Sequence, residues 1–225
     1  MSKRLEEEDD RLLVGDALAR EILDALAPLR FTEATGEGER EECFRLRYAA
    51  VRERAMADSE RFPHGMERDD FDEAAIQILG WDGHIPIATC RVLTPASDRV
   101  LPIQTEFGIQ LTAAGGIAEW GRLVVDPGYR GDGHSVILGL AAQGWMSMRD
   151  RGYSRVIAAT TGRLIALFEA LGFSITRLGP PREYWREERF PILFDGGATA
   201  LGVEQEWLAN ETQVSRPPEQ RPADR

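Results

Sequence analysis

Over Asp9 to Leu29 the apolar residues Leu12, Leu13, Leu18, Ile22 and Leu26 recur at helical intervals, which predicts an amphipathic helix. Its apolar face suits the protein's own core or a second copy of the chain. Arg30 to Thr35 is short and extended in character, and helical spacing returns from Glu39 to Ala57 after a break at Gly36 and Gly38. Two β-rich runs, Ala74 to Trp81 and Ile85 to Thr94, meet around Asp82-Gly83. Such a pair supplies the positive φ angles of a tight turn, so a hairpin is expected.

Pro95 to Gly116 mixes turn formers with a weak helical stretch around Phe107. Ile117 to Val125 then reads as a buried strand, ended by Asp126-Pro127-Gly128. Helix is predicted from Gly133 to Arg151, strand at Arg155 to Thr160, helix from Gly162 to Leu171 and strand from Phe173 to Leu178. This β-α-β-α-β succession implies a layered α/β (α+β) domain. Beyond Phe194 the periodicity weakens, and Arg216 to Arg225 holds three prolines among charges, which predicts a disordered tail. The expected organisation is a helical arm at 1–29, one globular domain at 30–195 and an extension at 196–225.

The chain of 225 residues is 43% hydrophobic, enough for one sizeable core. No run approaches the roughly 18 apolar residues of a membrane span, and Met1 to Asp10 is too acidic for a secretory or transit peptide. The expected location is therefore the cytoplasm. Cys43 and Cys90 lack metal-ligand spacing, and His64, His84 and His134 form no H-x-x-x-H pair, so no metal is expected and both thiols are expected to be buried. A net charge of −11 argues against nucleic acid, which requires a concentrated basic face. Chemistry on a small molecule fits better.

The candidate chemistry begins where the strand ending at Val125 turns into the next helix. Gly131 and Gly133 allow a tight turn and close approach of the backbone to a ligand. The first amides of the following helix are unpaired donors at the positive end of its dipole, suited to a phosphate. On the glycines alone, an ordinary strand-to-helix loop is the alternative. The segment resembles the acyl-carrier loop R/Q-x-x-G-x-G/A of GNAT acyltransferases, matched by Arg130, Gly133 and, with a departure, Ser135 in the small last position. Gly152-Tyr153 and Phe168-Glu169-Ala170-Leu171-Gly172-Phe173 continue the likeness, which covers about Ile117 to Leu178.

The resemblance implies a central mixed sheet whose middle strands splay apart, flanked by helices, with an acyl-phosphopantetheine thioester lying in the gap. The donor would then meet Leu123, Val124, Val125, Arg130, Gly131, Gly133, His134 and Ser135, and a backbone N–H near Leu123 to Val125 would polarise the thioester carbonyl. No tightly bound cofactor is implied; the acyl-phosphopantetheine, on acyl carrier protein or coenzyme A, is a cosubstrate.

A second ordered set lies upstream: Arg47, then Glu67-Arg68-Asp69-Asp70-Phe71-Asp72, Arg91, Phe107 and Glu119-Trp120-Gly121-Arg122. In order and approximate spacing it is similar to the acyl-homoserine-lactone synthases, GNAT relatives that carry E-x-D-x-[FY]-D and E-x-x-R patterns. Charges of both signs within core-building segments must be paired, so an ion-pair cluster is an alternative to catalysis for any one of them. Glu119 heads the strand facing the thioester and is the candidate general base. Arg47, Asp69, Asp72, Arg91 and Arg122 are candidates for binding the acceptor.

In the lactone synthases aromatic residues follow the first arginine and wall the pocket for S-adenosylmethionine; Val51 and about Ala57 occupy those positions here. The loss favours the related N-acyl amino acid synthases, which join long acyl chains to amino acids. Three readings stay open: an acyl-carrier-protein-dependent N-acyl amino acid or lactone synthase, a general acetyl-coenzyme A acetyltransferase, and an inactive binding module of the same fold. Acyl carrier protein is acidic, so docking it needs a local basic patch, for which Arg130, Arg149, Arg151, Arg155 and Arg163 are candidates. A homodimer through the N-terminal helix is a further possibility.

Overall fold

A computed structural model describes residues 2–95, 100–111, 116–131 and 134–210. The chain order is α1 (Ser2–Ala25), β1 (Arg30–Glu33), α2 (Glu37–Arg54), β2 (Ile76–Asp82), β3 (Ile85–Leu93), α3 (Pro102–Phe107) and β4 (Ile117–Val125). It continues with α4 (Ser135–Arg149), β5 (Arg155–Thr160), α5 (Gly162–Ala170), β6 (Ile175–Arg177), β7 (Arg182–Tyr184), β8 (Glu187–Asp195) and α6 (Gly196–Asn210). The predicted bounds of β4 and β5 hold to the residue, each strand being closed by turn formers, Asp126-Pro127-Gly128 after β4 and Thr161-Gly162 after β5. The expected tail at 216–225 lies outside the described residues.

The eight strands form one mixed sheet in the order β1-β2-β3-β4-β5-β8-β6, with β7 paired to β8. Every neighbour is antiparallel except β4 and β5, which run parallel with Ile117 opposite Arg155 and Trp120 opposite Ala158. Their pairing stops at Trp120↔Ala158, whereas β4 runs on to Val125 while still paired with β3. The two central strands therefore part beyond Trp120. Along β3, Thr89 faces Val124 and Arg91 faces Gly121, so Cys90 has both Arg122 and Leu123 opposite it. This is a β-bulge, and Arg122 adopts a left-handed φ of 54° within it.

The hairpin turn after β2 places positive φ at Gly83 alone. Both thiols are buried, which pushes Cys43 up to about 11 and raises Cys90 as well.

The main core lies between the sheet and α1, α4 and α6. Leu18, Ala19, Ile22 and Leu26 of α1 belong to it, so the arm turns its apolar face onto its own chain. Asp16 of α1 accepts from the Trp145 indole at 2.8 Å and from Arg149 at 3.0 Å, and Glu21 accepts from Trp207 of α6 at 2.9 Å. Helix α6 buries Ala200, Val203 and Trp207 at helical spacing, but Gly196, Gly197 and Gly202 lower its helix propensity, so its sequence signal is weak. A second apolar cluster on the opposite face of the sheet joins Leu93, Leu101, Ile103, Phe107 and Ile157. No helix among the described residues is long and apolar enough to cross a membrane.

Helix α4 approaches the sheet closely through Gly139, where an added Cβ would sit 2.2 Å from the Phe31 ring. Alanine is the better helix former, yet the overlap outweighs that gain. Gly139→Ala is expected to lower stability by about 1–3 kcal/mol, the usual cost of overpacking, and urea unfolding followed by circular dichroism reads the change.

Candidate active site

Helix α2 buries Arg47, only 1% exposed, because a neutralising partner set meets it. Arg47 donates from Nη1 and Nη2 to Asp72 at 2.7 and 2.9 Å and from Nε to Glu67. The forked pair matches guanidinium to carboxylate geometry. Arg91 of β3 donates to Asp69 at 2.6 Å and to Asp72 at 2.9 Å. Arg122 reaches Asp69 at 2.9 Å and Glu67 at 3.3 Å. Three guanidinium groups thus share three carboxylates in one neutral network. The Gln77 amide and the Asp69 backbone N–H also donate to Asp72, at 2.9 and 2.7 Å.

All five predicted acceptor-side residues, Arg47, Asp69, Asp72, Arg91 and Arg122, meet here. On a regular strand Arg122 would stand on the opposite side from Glu119; the bulge turns it into the same network. Glu67 and Gln77 are network members without an assigned role in the sequence reading. Glu67 begins the acidic motif and could have been found by balancing charges, whereas Gln77 carries no such signal. Burial alone would raise the Asp72 carboxyl, but the hydrogen bonds from Arg47 and the charges of Arg47 and Arg91 hold it well below the usual carboxylate range.

Glu119 is 9% exposed and lies near the end of the β4–β5 pairing. Its Oε2 accepts the Ile103 backbone N–H of α3 at 3.1 Å. Burial pushes its pKa up to about 7, against the opposing effects of the Ile103 N–H and of Arg91 and Arg122. Such a carboxylate can take a proton near neutral pH. Trp120, the next residue, faces the other side of the sheet, toward α4. There an apolar cavity of about 80 Å³ is lined by Leu18, Ile22, Trp120, Leu138, Trp145 and Val203, among others.

After β4, Asp126 caps a short turn by accepting the Gly128 N–H at 2.8 Å. Gly131 and His134 take positive φ angles of 102° and 62°, and no side chain of His134 caps the start of α4. Leu123, Val124 and Val125 lie on the β4 edge that has left β5. Ser135 opens α4; Gly133 lies outside the described residues. Arg130 donates to the Val125 carbonyl at 2.8 Å and forms a forked pair with Glu53 of α2 at 2.5 and 2.7 Å.

The proposed basic patch is largely compensated: besides Arg130, Arg149 pairs with Asp16 and Arg151 with Glu33. Val51 and Ala57, where an aromatic wall was missed, line a polar cavity of about 290 Å³ with Arg52, Ala55, Asp58 and Arg186.

Residues 46–139 match the family model of the acetyltransferase (GNAT) domain. Over those residues, fewer than half of the chain, the sequence is similar to that domain. No curated protein matches the sequence significantly. Among solved structures, the acyl-homoserine-lactone (AHL) synthase LasI is 16% identical, with a TM-score of 0.60, and the match covers 86% of this chain and 98% of that one. The N-acyl amino acid synthase FeeM, from uncultured soil microbes, is 14% identical at a TM-score of 0.62, with 80% and 97% covered. BjaI, a CoA-dependent acyl-homoserine lactone synthase solved with SAM and isopentyl-CoA, is 21% identical at 0.58, with 80% and 87% covered. At these identities the likeness is one of fold. It includes the GNAT architecture anticipated from the loop and the charged motifs.

Removing one member of the buried network leaves its partners charged and unpaired. Asp72→Asn is expected to cost about 3–5 kcal/mol in denaturant unfolding. Because folding lowers the Asp72 pKa, its stabilising contribution is complete above the unfolded value of about 3.9 and is lost as pH falls. The wild type should lose stability on acidification more steeply than the variant.

Proposed function

We propose that this protein is an N-acyltransferase moving a long acyl group from an acyl-phosphopantetheine thioester to the α-amine of an amino acid. The observation that carries the reading is Glu119, a buried carboxyl poised near neutrality between a charged network on one face of β4 and an apolar cavity on the other. Glu119 takes a proton from the acceptor amine, directly or through water. The amine nitrogen bonds to the thioester carbonyl carbon, and the C–S bond breaks to release the thiol after protonation. A backbone N–H on the opened Leu123 to Val125 edge stabilises the developing oxyanion. Arg130 and the amides at the start of α4 hold the donor phosphate, with Arg130 exchanging Glu53 for it.

On the acceptor side, the network arginines hold a carboxylate by paired hydrogen bonds, which suits any α-amino acid. On the donor side, the apolar cavity of about 80 Å³ beside Trp120 offers room for the end of an acyl chain. Burial contributes about 0.8 kcal/mol per methylene, which disfavours acetyl donors. Acyl carrier protein remains the favoured donor and coenzyme A the alternative, as named for BjaI. S-adenosylmethionine as acceptor is the second reading, supported by the solved lactone synthases.

Glu119→Gln is expected to fold normally and to lower acyl transfer about a hundredfold or more, the usual scale for loss of a general base. In the wild type kcat/KM should rise with pH and level off above about 7, because only the ionised carboxylate accepts a proton. Unchanged turnover in the variant under saturating substrates would overturn the assignment. A second measurement offers acetyl to dodecanoyl thioesters of acyl carrier protein and coenzyme A with amino acids or S-adenosylmethionine, with products read by mass spectrometry. N-acyl amino acids from medium and long donors are expected; lactone from S-adenosylmethionine with no N-acyl amino acid would place the protein on the other branch.

A further inference from the structure

The hairpin joining β7 to β8 has a two-residue loop, Trp185-Arg186, with φ angles of 58° and 56°. That geometry normally takes asparagine and glycine, and bulky residues persist in it only where surrounding contacts over-determine them. Those contacts are present. The Trp185 ring lies parallel to Phe62, with centroids 6.2 Å apart and planes 8° apart, and its other aromatic neighbour is Tyr184 at 6.4 Å. Tyr184 in turn meets Phe107 edge-on at 5.8 Å, and Arg186 donates to the Ala55 carbonyl at 3.2 Å. The tip is thus tied to α3 and to the end of α2.

The guanidinium of Arg122 lies 4.5 Å from the Trp185 ring centroid. Arg122 is the most exposed arginine of the network, at 17% of its side chain, against 1% for Arg47 and 3% for Arg91. It is therefore the network arginine best placed to meet a ligand, and the indole covers it. Cation–π contact fixes the guanidinium plane and keeps water from that face. Phe62, from the segment after α2, and Trp185, from the β7–β8 hairpin, thus form a stacked aromatic pair beside Arg122.

We propose that Trp185 is a positioning residue for the acceptor: it holds Arg122 in the plane that receives the acceptor's carboxylate and shields that contact from water. The inference rests on the acyltransferase reading above but applies to any acceptor with an α-amino carboxylate. Arg122 also bears on Glu119, which is faced by Arg91 from β3, Asp69 from the segment before β2, and the Ile103 N–H from α3. Releasing Arg122 weakens one of the effects that lower the Glu119 pKa, so the pH profile should move upward.

The test compares Trp185→Ala and Trp185→Phe with the wild type, measuring melting temperature, KM for donor and acceptor, and the pH dependence of kcat/KM. Trp185→Ala is expected to raise the acceptor KM about tenfold, leave the donor KM within twofold and shift the pH limb upward; Trp185→Phe should recover most of the loss. Unchanged acceptor KM and pH profile in the alanine variant would overturn the proposal. So would an equal rise in both KM values that follows the melting temperature, since that marks a purely structural role. If the wild type proves to use S-adenosylmethionine, the amino-acid reading fails, but the same split for that acceptor still supports the role of Trp185.

Discussion

Compensation of buried charge is the constraint on which the site depends. Arg47, Arg91 and Arg122 come from α2, β3 and β4, and no one of them is tolerable inside the protein without Glu67, Asp69 or Asp72. The carboxylates all lie on the irregular stretch between α2 and β2. That stretch has little regular structure to hold it, so its shape comes from these bonds and from local ones, Asp69 N–H to Asp72 and Phe71 N–H to Asp69. Neutrality lets the network sit beside the central strands without leaving an unpaired charge there.

Strand β4 turns this arrangement into a site. Successive side chains point to opposite faces, which places Glu119 toward the charged network and α3 and Trp120 toward α4 and the apolar cavity. Beyond Trp120 the strand leaves β5 and bulges against β3, and the bulge brings Arg122 to the Glu119 side. A buried carboxyl, a charged network and an apolar cavity are therefore met along one strand within a few residues. Burial that raises the Glu119 pKa and arginines that restrain it come from this same packing.

The ends of the chain contribute to both faces. Helices α1 and α6 close the apolar cavity opposite α4, joined to each other by Trp207 and Glu21. The β7–β8 hairpin closes the charged face, where Trp185 lies over Arg122. Helix α6 lies beyond Phe194, where the periodicity weakens, and its placement rests on long-range contacts such as that of Trp207 with Glu21.

The sequence by itself determined what depends on local pattern: the extents of β4 and β5, the hairpin at Gly83, the positive φ at Gly131, and the spaced acidic and basic residues that had to find partners. Through the family resemblance that the loop and the charged motifs carry, the GNAT architecture and five members of the charged network were legible. Left to the tertiary structure were Glu67 and Gln77 as network partners, the side of β4 on which Arg122 stands, the raised pKa of Glu119, and the part played by Phe62 and Trp185. A bulge changes which face a residue occupies without changing the residue type. A desolvation shift depends on what lies across the fold, and an aromatic pair built from residues more than a hundred positions apart leaves no periodic trace; these properties belong to packing, which local sequence does not encode.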